Sequence, residues 1–155
     1  MASENQTLTD SQIVGVLSSA NSSELQQARI ALRRAQRKDV RDYARMLIAH
    51  HEKATTDARA LELELGLVPE NSSAASDLRS SNTELVVSLN EAKRSEFDRG
   101  FIASQIGNHE ELLALFDARL IPEARNGELK SLLESLRPVF QSHLEQALAI
   151  QAKLS

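Results

Sequence analysis

Four long segments of the chain carry apolar residues at every third or fourth position, the spacing that places them on one face of an α-helix. These segments run over residues 10–36, from about Val40 to Leu65, from about Ser95 to Leu120 and from about Leu129 to Leu154. Glycine and aromatic residues are scarce, at 5 residues and 3% of the chain respectively, whereas helix-forming Ala, Leu, Glu and Arg are frequent. The pattern therefore predicts an all-α protein built from four long helices.

The connections between the helices indicate how they pack. A tight turn, which we expect Asp39 to cap, joins the first two helices, and Gly66 marks the end of the second. Residues 67–93 form a long connection that contains a shorter helix from Ala75 to Leu89. A long second connection is typical of a ferritin-like four-helix bundle, in which it crosses over so that the second and third long helices run parallel. We therefore expect a ferritin-like bundle with a short extra helix in the crossover.

Length and composition bound the class of protein. The 155 residues suffice for one domain, and we expect a flexible N-terminus over residues 1–8 and a single bundle domain over residues 9–155. The absence of cysteine excludes disulfides, thiolate nucleophiles and cysteine-ligated metal sites. The net charge of −4 argues against a nucleic-acid partner. Without an apolar run of about 20 residues or a signal-like start, we expect a soluble chain that does not insert into membranes.

Four ionisable side chains interrupt the apolar stripes, one near the middle of each long helix: Glu24, His51, His109 and His143. A buried charge or imidazole costs free energy unless it is paired, hydrogen-bonded or bound to a metal. Their positions along the helices place all four in one layer across the middle of the bundle. We therefore predict that they form a shared interior site. His50, adjacent to His51, points about 100° away around its helix, and we expect it to be exposed.

The residue types at this site favour one metal ion over a di-iron centre. Ferritin-like di-iron sites use a Glu-x-x-His motif, but Ile48, Ile106 and Phe140 stand three residues before the histidines. Three histidines and one glutamate are instead a nitrogen-rich ligand set, which suits a divalent transition metal. Zinc is the leading candidate, with copper, nickel, cobalt and iron as alternatives. If Glu24 does not bind the ion, three histidines leave a position open for water.

The chain also resembles the bacterial domain-of-unknown-function 4142 family, whose members are often labelled putative outer-membrane proteins. The resemblance covers about Leu8 to Leu148. It rests on these motifs: Asn21-Ser22-Ser23-Glu24, Tyr43-Ala44-Arg45-Met46-Leu47 through His51-Glu52-Lys53-Ala54, Phe97-Asp98-Arg99-Gly100-Phe101 through His109-Glu110, and Leu136-Arg137-Pro138 through His143-Leu144. It implies a ferritin-like fold and, because members usually carry an export signal, a periplasmic or envelope location. The family usually has an Asp directly before the helix-two histidine, where this chain has His50.

Three functional interpretations follow. The first is a metal-binding protein of the bacterial envelope, which holds one divalent ion with Glu24, His51, His109 and His143 and acts in metal handling or stress tolerance. The second is a metal-free structural or interaction bundle, in which the Glu/His layer, including a Glu24–His51 pair, only fixes helix register. The third is a hydrolase or oxidase with an open metal position, which we rank lowest. The apolar stripes are also compatible with a second copy of the chain as partner, in a homodimer.

Overall fold

The structure, a computed structural model, describes residues 6–154, and within this range every regular element is a helix. The elements are α1 (Asp10–Arg34), α2 (Lys38–Leu65), α3 (Ser73–Glu91), α4 (Phe97–Leu115), a π-helical turn (Phe116–Leu120), α5 (Ile121–Glu123) and α6 (Gly127–Lys153). The predictions of an all-α fold, four long helices and an extra helix in the second connection are confirmed. Most of the N-terminus expected to be flexible, residues 1–5, lies outside the described residues.

Hydrogen bonds at both ends of α1 set its direction relative to α4. Near the end of α1, the Asp98 carboxylate of α4 accepts the backbone N–H groups of Gln36 and Arg37, both at 2.9 Å. At the opposite end, the backbone N–H of Leu8, just before α1, donates at 3.2 Å to Oε1 of Glu123 in α5, which follows α4 and the π-turn without a break. The start of one helix therefore lies beside the end of the other, and α1 and α4 are antiparallel.

Helix α2 has the same direction as α4. It follows α1 through a turn of three residues and packs along it, which makes these two helices antiparallel. The Tyr43 hydroxyl of α2 donates to the backbone carbonyl of His143 in α6 at 2.9 Å, and the Arg99 side chain of α4 donates to the carbonyl of Leu154 after α6 at 2.8 Å. The starts of α2 and α4 therefore both lie towards the end of α6, so α2 and α4 are parallel. The connection between these two helices crosses the length of the bundle, as predicted.

Two helix boundaries differ from the sequence predictions. Asp39 does not cap α2: the helix begins at Lys38, the capping position is Arg37, and Asp39 binds the Arg37 side chain at 3.0 Å. The backbone donors of this turn are satisfied by Asp98 of α4, which no local pattern indicates. At the other end of α4, helical structure continues as the π-turn and α5 to Glu123, so Pro122 lies within the helical segment instead of ending it at Leu120.

The crossover packs directly on α1 at Gly15. A Cβ atom at this position would lie 2.0 Å from the carbonyl oxygen of Glu70, and the Glu70 N–H donates to the Ser11 carbonyl at 3.0 Å. Farther along, the Arg34 guanidinium binds the carbonyl of Ala92 at 2.6 Å and that of Leu89, both at the end of α3. These contacts hold α3 against α1 along its length.

Two apolar clusters fill the bundle on either side of a polar layer. One is centred on Phe116 and Phe140 towards the start of α1, and the other on Phe97 and Phe101 towards its end. Between them lie most of the buried polar side chains of the described residues: Asn21, Glu24, Gln27, His51, Gln105, His109 and His143. The helices therefore bring polar groups from α1, α2, α4 and α6 to one level of the interior.

Candidate metal centre

Three histidines from three helices meet in the polar layer. His51 of α2, His109 of α4 and His143 of α6 are 0%, 1% and 0% exposed. One ring nitrogen from each lies within 4.8 Å of the others. Nitrogen ligands at about 2.0–2.1 Å from a tetrahedral ion are about 3.3–3.4 Å apart, and His109 Nε2 is already 3.3 Å from His143 Nδ1. Small side-chain rotations would bring all three nitrogens to one ion.

Hydrogen bonds fix the orientation of two of these rings. The Nδ1–H of His109 donates to the Gln105 carbonyl at 2.8 Å, and the Nδ1–H of His51 donates to Asn21 Oδ1 at 2.9 Å. Since each neutral ring carries one proton, the Nε2 atoms of both rings are left with free lone pairs. An outer hydrogen bond that leaves the inner nitrogen unprotonated is the usual arrangement for a metal-binding histidine. Phe140 stacks on the His51 ring, with centroids 5.3 Å apart and an interplanar angle of 14°.

His143 connects the interior histidines to the surface through His50. Because His109 Nε2 is an acceptor, the Nδ1–H of His143 donates to it, which leaves His143 Nε2 to accept from His50 Nδ1 at 2.8 Å. The rings of His50 and His143 stack at 5.0 Å. His50 itself is exposed, as expected. All four histidines of the chain therefore form one cluster.

Glu24 lies beside this cluster without joining it. It is 5% exposed, and its Oε1 accepts from Asn108 Nδ2 at 3.4 Å. The metal-free interpretation of the sequence included a hydrogen bond between Glu24 and His51. Among the described residues, His51 donates to Asn21 instead. The group of mutually close ligand atoms among the described residues contains the three histidines and not Glu24. Its role as a fourth ligand stays a prediction.

A network of amide side chains surrounds Glu24. Gln27 Oε1 accepts from both Gln105 Nε2, at 2.8 Å, and Asn108 Nδ2, at 3.0 Å. Gln27 Nε2 in turn donates to Asn82 Oδ1 of α3 at 2.8 Å. These bonds tie α1, α3 and α4 together at the level of the histidines.

Hydrogen bonding in the layer is incomplete. Within residues 6–154, three buried side-chain atoms have no hydrogen-bond partner: Glu24 Oε2, His51 Nε2 and Gln105 Oε1. All three belong to the polar layer, and the other buried side-chain nitrogen and oxygen atoms of the described residues have partners. Buried polar atoms are normally paired, so their concentration in this one layer indicates that a further polar species fits there.

Burial determines the protonation of the site. Loss of hydration, together with a smaller effect of the neighbouring His109 and His50, lowers the pKa of His143 to about 3. Burial likewise places the pKa of His51 well below its usual value, with His143, His109 and His50 adding to the effect. Both rings are therefore neutral at physiological pH, the form that binds metals. Burial raises the pKa of Glu24, an effect that His109 partly offsets.

The sequence indicated the three central histidines but not their supporting residues. Asn21, Gln105 and Asn108 occupy helical positions near the stripes, and no single-residue signal separates them from surface amides. The sequence does not indicate that His50 belongs to the cluster, because it predicts only that this side chain is exposed, and an exposed side chain still contacts His143. Glu52 and Glu110, adjacent in sequence to two of the histidines, are exposed.

Fold and site together define the class: an all-α four-helix bundle with a buried cluster of histidines from three helices, which could hold a metal ion. The chain matches the family described as "Domain of unknown function (DUF4142)" over residues 1–150, and it belongs to that family. No match was found among curated proteins. Among solved structures, the chain is similar to the crystal structure of a DUF305 fragment from Deinococcus radiodurans. The TM-score is 0.78 at 15% identity, with 96% of this chain and 99% of that chain covered, which supports the fold alone.

Proposed function

We propose that this protein binds one divalent transition metal ion through His51 Nε2, His109 Nε2 and His143 Nδ1. The observation that carries the proposal is the convergence of three buried imidazoles, with one ring nitrogen of each within 4.8 Å of the others. Two of them are already oriented by outer hydrogen bonds with their lone pairs inward. The unpartnered Nε2 of His51 is the atom that a metal ion would satisfy most directly.

Binding would require two linked tautomer changes. His143 donates from Nδ1 in the present arrangement, so metal ligation moves its proton to Nε2. The exposed His50 moves its own proton from Nδ1 to its outer Nε2, so that its Nδ1 accepts from His143 Nε2. The 2.8 Å contact serves both tautomers with the roles of donor and acceptor exchanged. His50 is therefore proposed to orient His143 rather than to bind the ion.

Glu24 is proposed to balance the charge of the ion, either as the fourth ligand or from just outside the ligand set. Three neutral imidazoles leave a divalent ion with its full charge in an apolar interior, which is costly without a nearby anion. Glu24 is the carboxylate electrostatically coupled to His109. Nitrogen-rich ligation favours zinc, with copper, nickel, cobalt and iron as the alternatives.

We further propose that the protein lies in the bacterial periplasm or envelope and acts in metal handling or stress tolerance. Its support is the resemblance to a family whose members usually carry an export signal. No helix among residues 6–154 has the length and apolar character needed to cross a membrane. Fractionation of the native bacterium with an antibody against this chain tests the location independently of the metal.

The test is direct metal analysis of protein purified without a histidine tag, followed by calorimetric titration with Zn²⁺, Cu²⁺ and Ni²⁺. We expect one ion per chain and a rise in melting temperature with metal concentration, because binding to the folded state stabilises it. His51→Ala and His109→Ala should abolish both effects while circular dichroism shows retained helix. Glu110→Gln, an exposed neighbour of His109 on α4, is the matched control.

Absence of stoichiometric metal and of any thermal shift would favour the metal-free alternative. In that case the polar layer acts through the hydrogen bonds it already contains, such as those between Asn21 and His51 and between Gln27 and Gln105. These join specific pairs of helices and would fix their register.

A further inference from the structure

A narrow cleft opens between α1, α3 and α4 at the level of the histidines. Its volume is about 40 Å³, room for a few water molecules at about 10–15 Å³ each. Glu24 and Gln27 lie at its buried end, at 5% and 2% exposure. Ser81 of α3 and Glu111 of α4 are exposed and lie at its mouth. The cleft therefore runs from solvent to the polar layer.

Glu24 adjoins both the cleft and the turn of α4 that carries His109. It lines the cleft, and its Oε1 accepts from Asn108, the residue directly before His109. Its Oε2 atom is buried and has no hydrogen-bond partner. A carboxylate oxygen without a partner, at the buried end of a water-sized opening, is placed to receive a cation.

We propose that this cleft is the route by which a hydrated divalent cation reaches the three histidines, and that Glu24 is the group that first binds it. This inference rests on the proposed metal site. The residues lining the cleft include two carboxylates, Glu24 and Glu111, and no lysine or arginine. Oxygen ligands suit a cation that still holds water, whereas the histidines take over once the ion is dehydrated. An acidic opening also raises the local concentration of cations.

A second cleft, of about 170 Å³, approaches the layer between α1 and α2. It reaches Asn21, whose side-chain oxygen already accepts from His51. Arg59 and Glu62 both line it, so their charges offset each other and this cleft lacks the net negative charge of the first. It presents no unpartnered buried acceptor among the described residues, so the first cleft is the favoured route.

Rapid-mixing experiments with Co²⁺, whose visible absorption reports ligand geometry, test the route. The key variant is Ser81→Phe, which narrows the mouth of the first cleft. Its matched control is Ser80→Phe, an exposed neighbour on α3 that does not line the cleft. Because ions enter and leave by the same path, Ser81→Phe should slow association and dissociation equally, by about 10-fold or more, with Kd unchanged. Glu24→Gln should slow association by a similar factor.

Three outcomes overturn the inference while leaving the metal site intact. The first is equal kinetics in Ser81→Phe and Ser80→Phe. The second is an unchanged association rate in Glu24→Gln. The third is slowing by Ser18→Phe, which narrows the second cleft, instead of by Ser81→Phe. If the wild-type protein binds no Co²⁺, Zn²⁺ or Ni²⁺ at equilibrium, the proposed function itself fails, and this result precedes any kinetic measurement.

Discussion

The Nδ1 atom of His50 lies 2.8 Å from the Nε2 atom of His143, which links an exposed imidazole to a fully buried one. Through this contact the buried histidine cluster extends to the protein surface. A neighbour of this kind sets the ring orientation and proton position of the residue it contacts. We therefore infer that His50 orients His143, a role distinct from the ligand role proposed for the three buried histidines.

We predict that His50→Ala weakens metal binding by about 10-fold or more without abolishing it, the usual effect of losing a group that orients a ligand. The three buried rings remain, so the stoichiometry stays at one ion per chain. Competition with a chelator of known affinity measures the change. Complete loss of binding would instead make His50 a ligand, and an unchanged Kd would show that it has no orienting role.

Glu24→Gln should stabilise the metal-free protein at neutral and alkaline pH, by on the order of 1 kcal/mol. The reason is that burial raises the pKa of Glu24, so ionising this carboxyl in the folded state costs free energy. The amide keeps an oxygen acceptor for Asn108 and carries no charge.

The sign of the pH dependence follows from that raised pKa. Above its folded pKa, wild-type Glu24 must be charged, and the variant gains its full advantage. As the pH falls towards the unfolded value of 4.5, the wild-type carboxyl becomes protonated and the advantage disappears. Urea unfolding of both proteins in the presence of a chelator measures this, with Glu110→Gln as the exposed control. A stabilisation that is equal at all pH values would contradict the explanation.

The sequence was sufficient for the helices and for the centre of the site. Helical spacing of apolar residues is a long, redundant signal, and an imidazole such as His109 in the middle of such a stripe is costly unless something satisfies it. Three such residues, each near the middle of its helix, were therefore expected to meet once the helices packed side by side. The same argument also placed Glu24 in the site, but Glu24 lies beside the cluster. The convergence of His51, His109 and His143 needed no knowledge of individual contacts.

What the sequence did not indicate depends on contacts between distant residues. Asp98 accepts the backbone N–H of Gln36 across 62 positions of the chain, and local capping rules suggested Asp39 instead. Likewise, His50 lies on a different face of α2 from His51, yet its side chain reaches His143 of α6. Such pairings follow from the distance and rotation between helices, which periodicity leaves undetermined.

Asp98→Asn should destabilise the protein by about 1–3 kcal/mol, because it weakens two charge-assisted hydrogen bonds to backbone donors. These bonds hold the turn between α1 and α2, with both distances at 2.9 Å. Metal affinity should not change, since Asp98 contacts this turn and not the histidines. Urea unfolding and metal titration of the same preparation separate the two effects. Loss of metal binding in a variant that is still fully folded would show that the turn positions the site.

Acidification should destabilise the metal-free protein because two histidines stay neutral in the folded state. The pKa of His143 is lowered to about 3, and that of His51 lies well below its usual value. The unfolded chain takes up these protons near its ordinary pKa of 6.5, whereas the folded chain does not. The stability present above pH 6.5 is therefore lost as the pH falls, by up to about 1.4 kcal/mol per pH unit for each histidine.

Glu24 acts in the opposite direction, since protonation of its raised-pKa carboxyl favours the folded state as the pH falls. The measurement therefore uses Glu24→Gln as the background, with urea unfolding across the range from neutral pH to about pH 4. Adding His143→Gln to this background should reduce the slope of the unfolding free energy against pH by the contribution of one histidine, about 1.4 kcal/mol per pH unit. An identical slope in the two proteins would mean that His143 is protonated equally in the folded and unfolded states, and the buried neutral imidazole that the metal site requires would not exist.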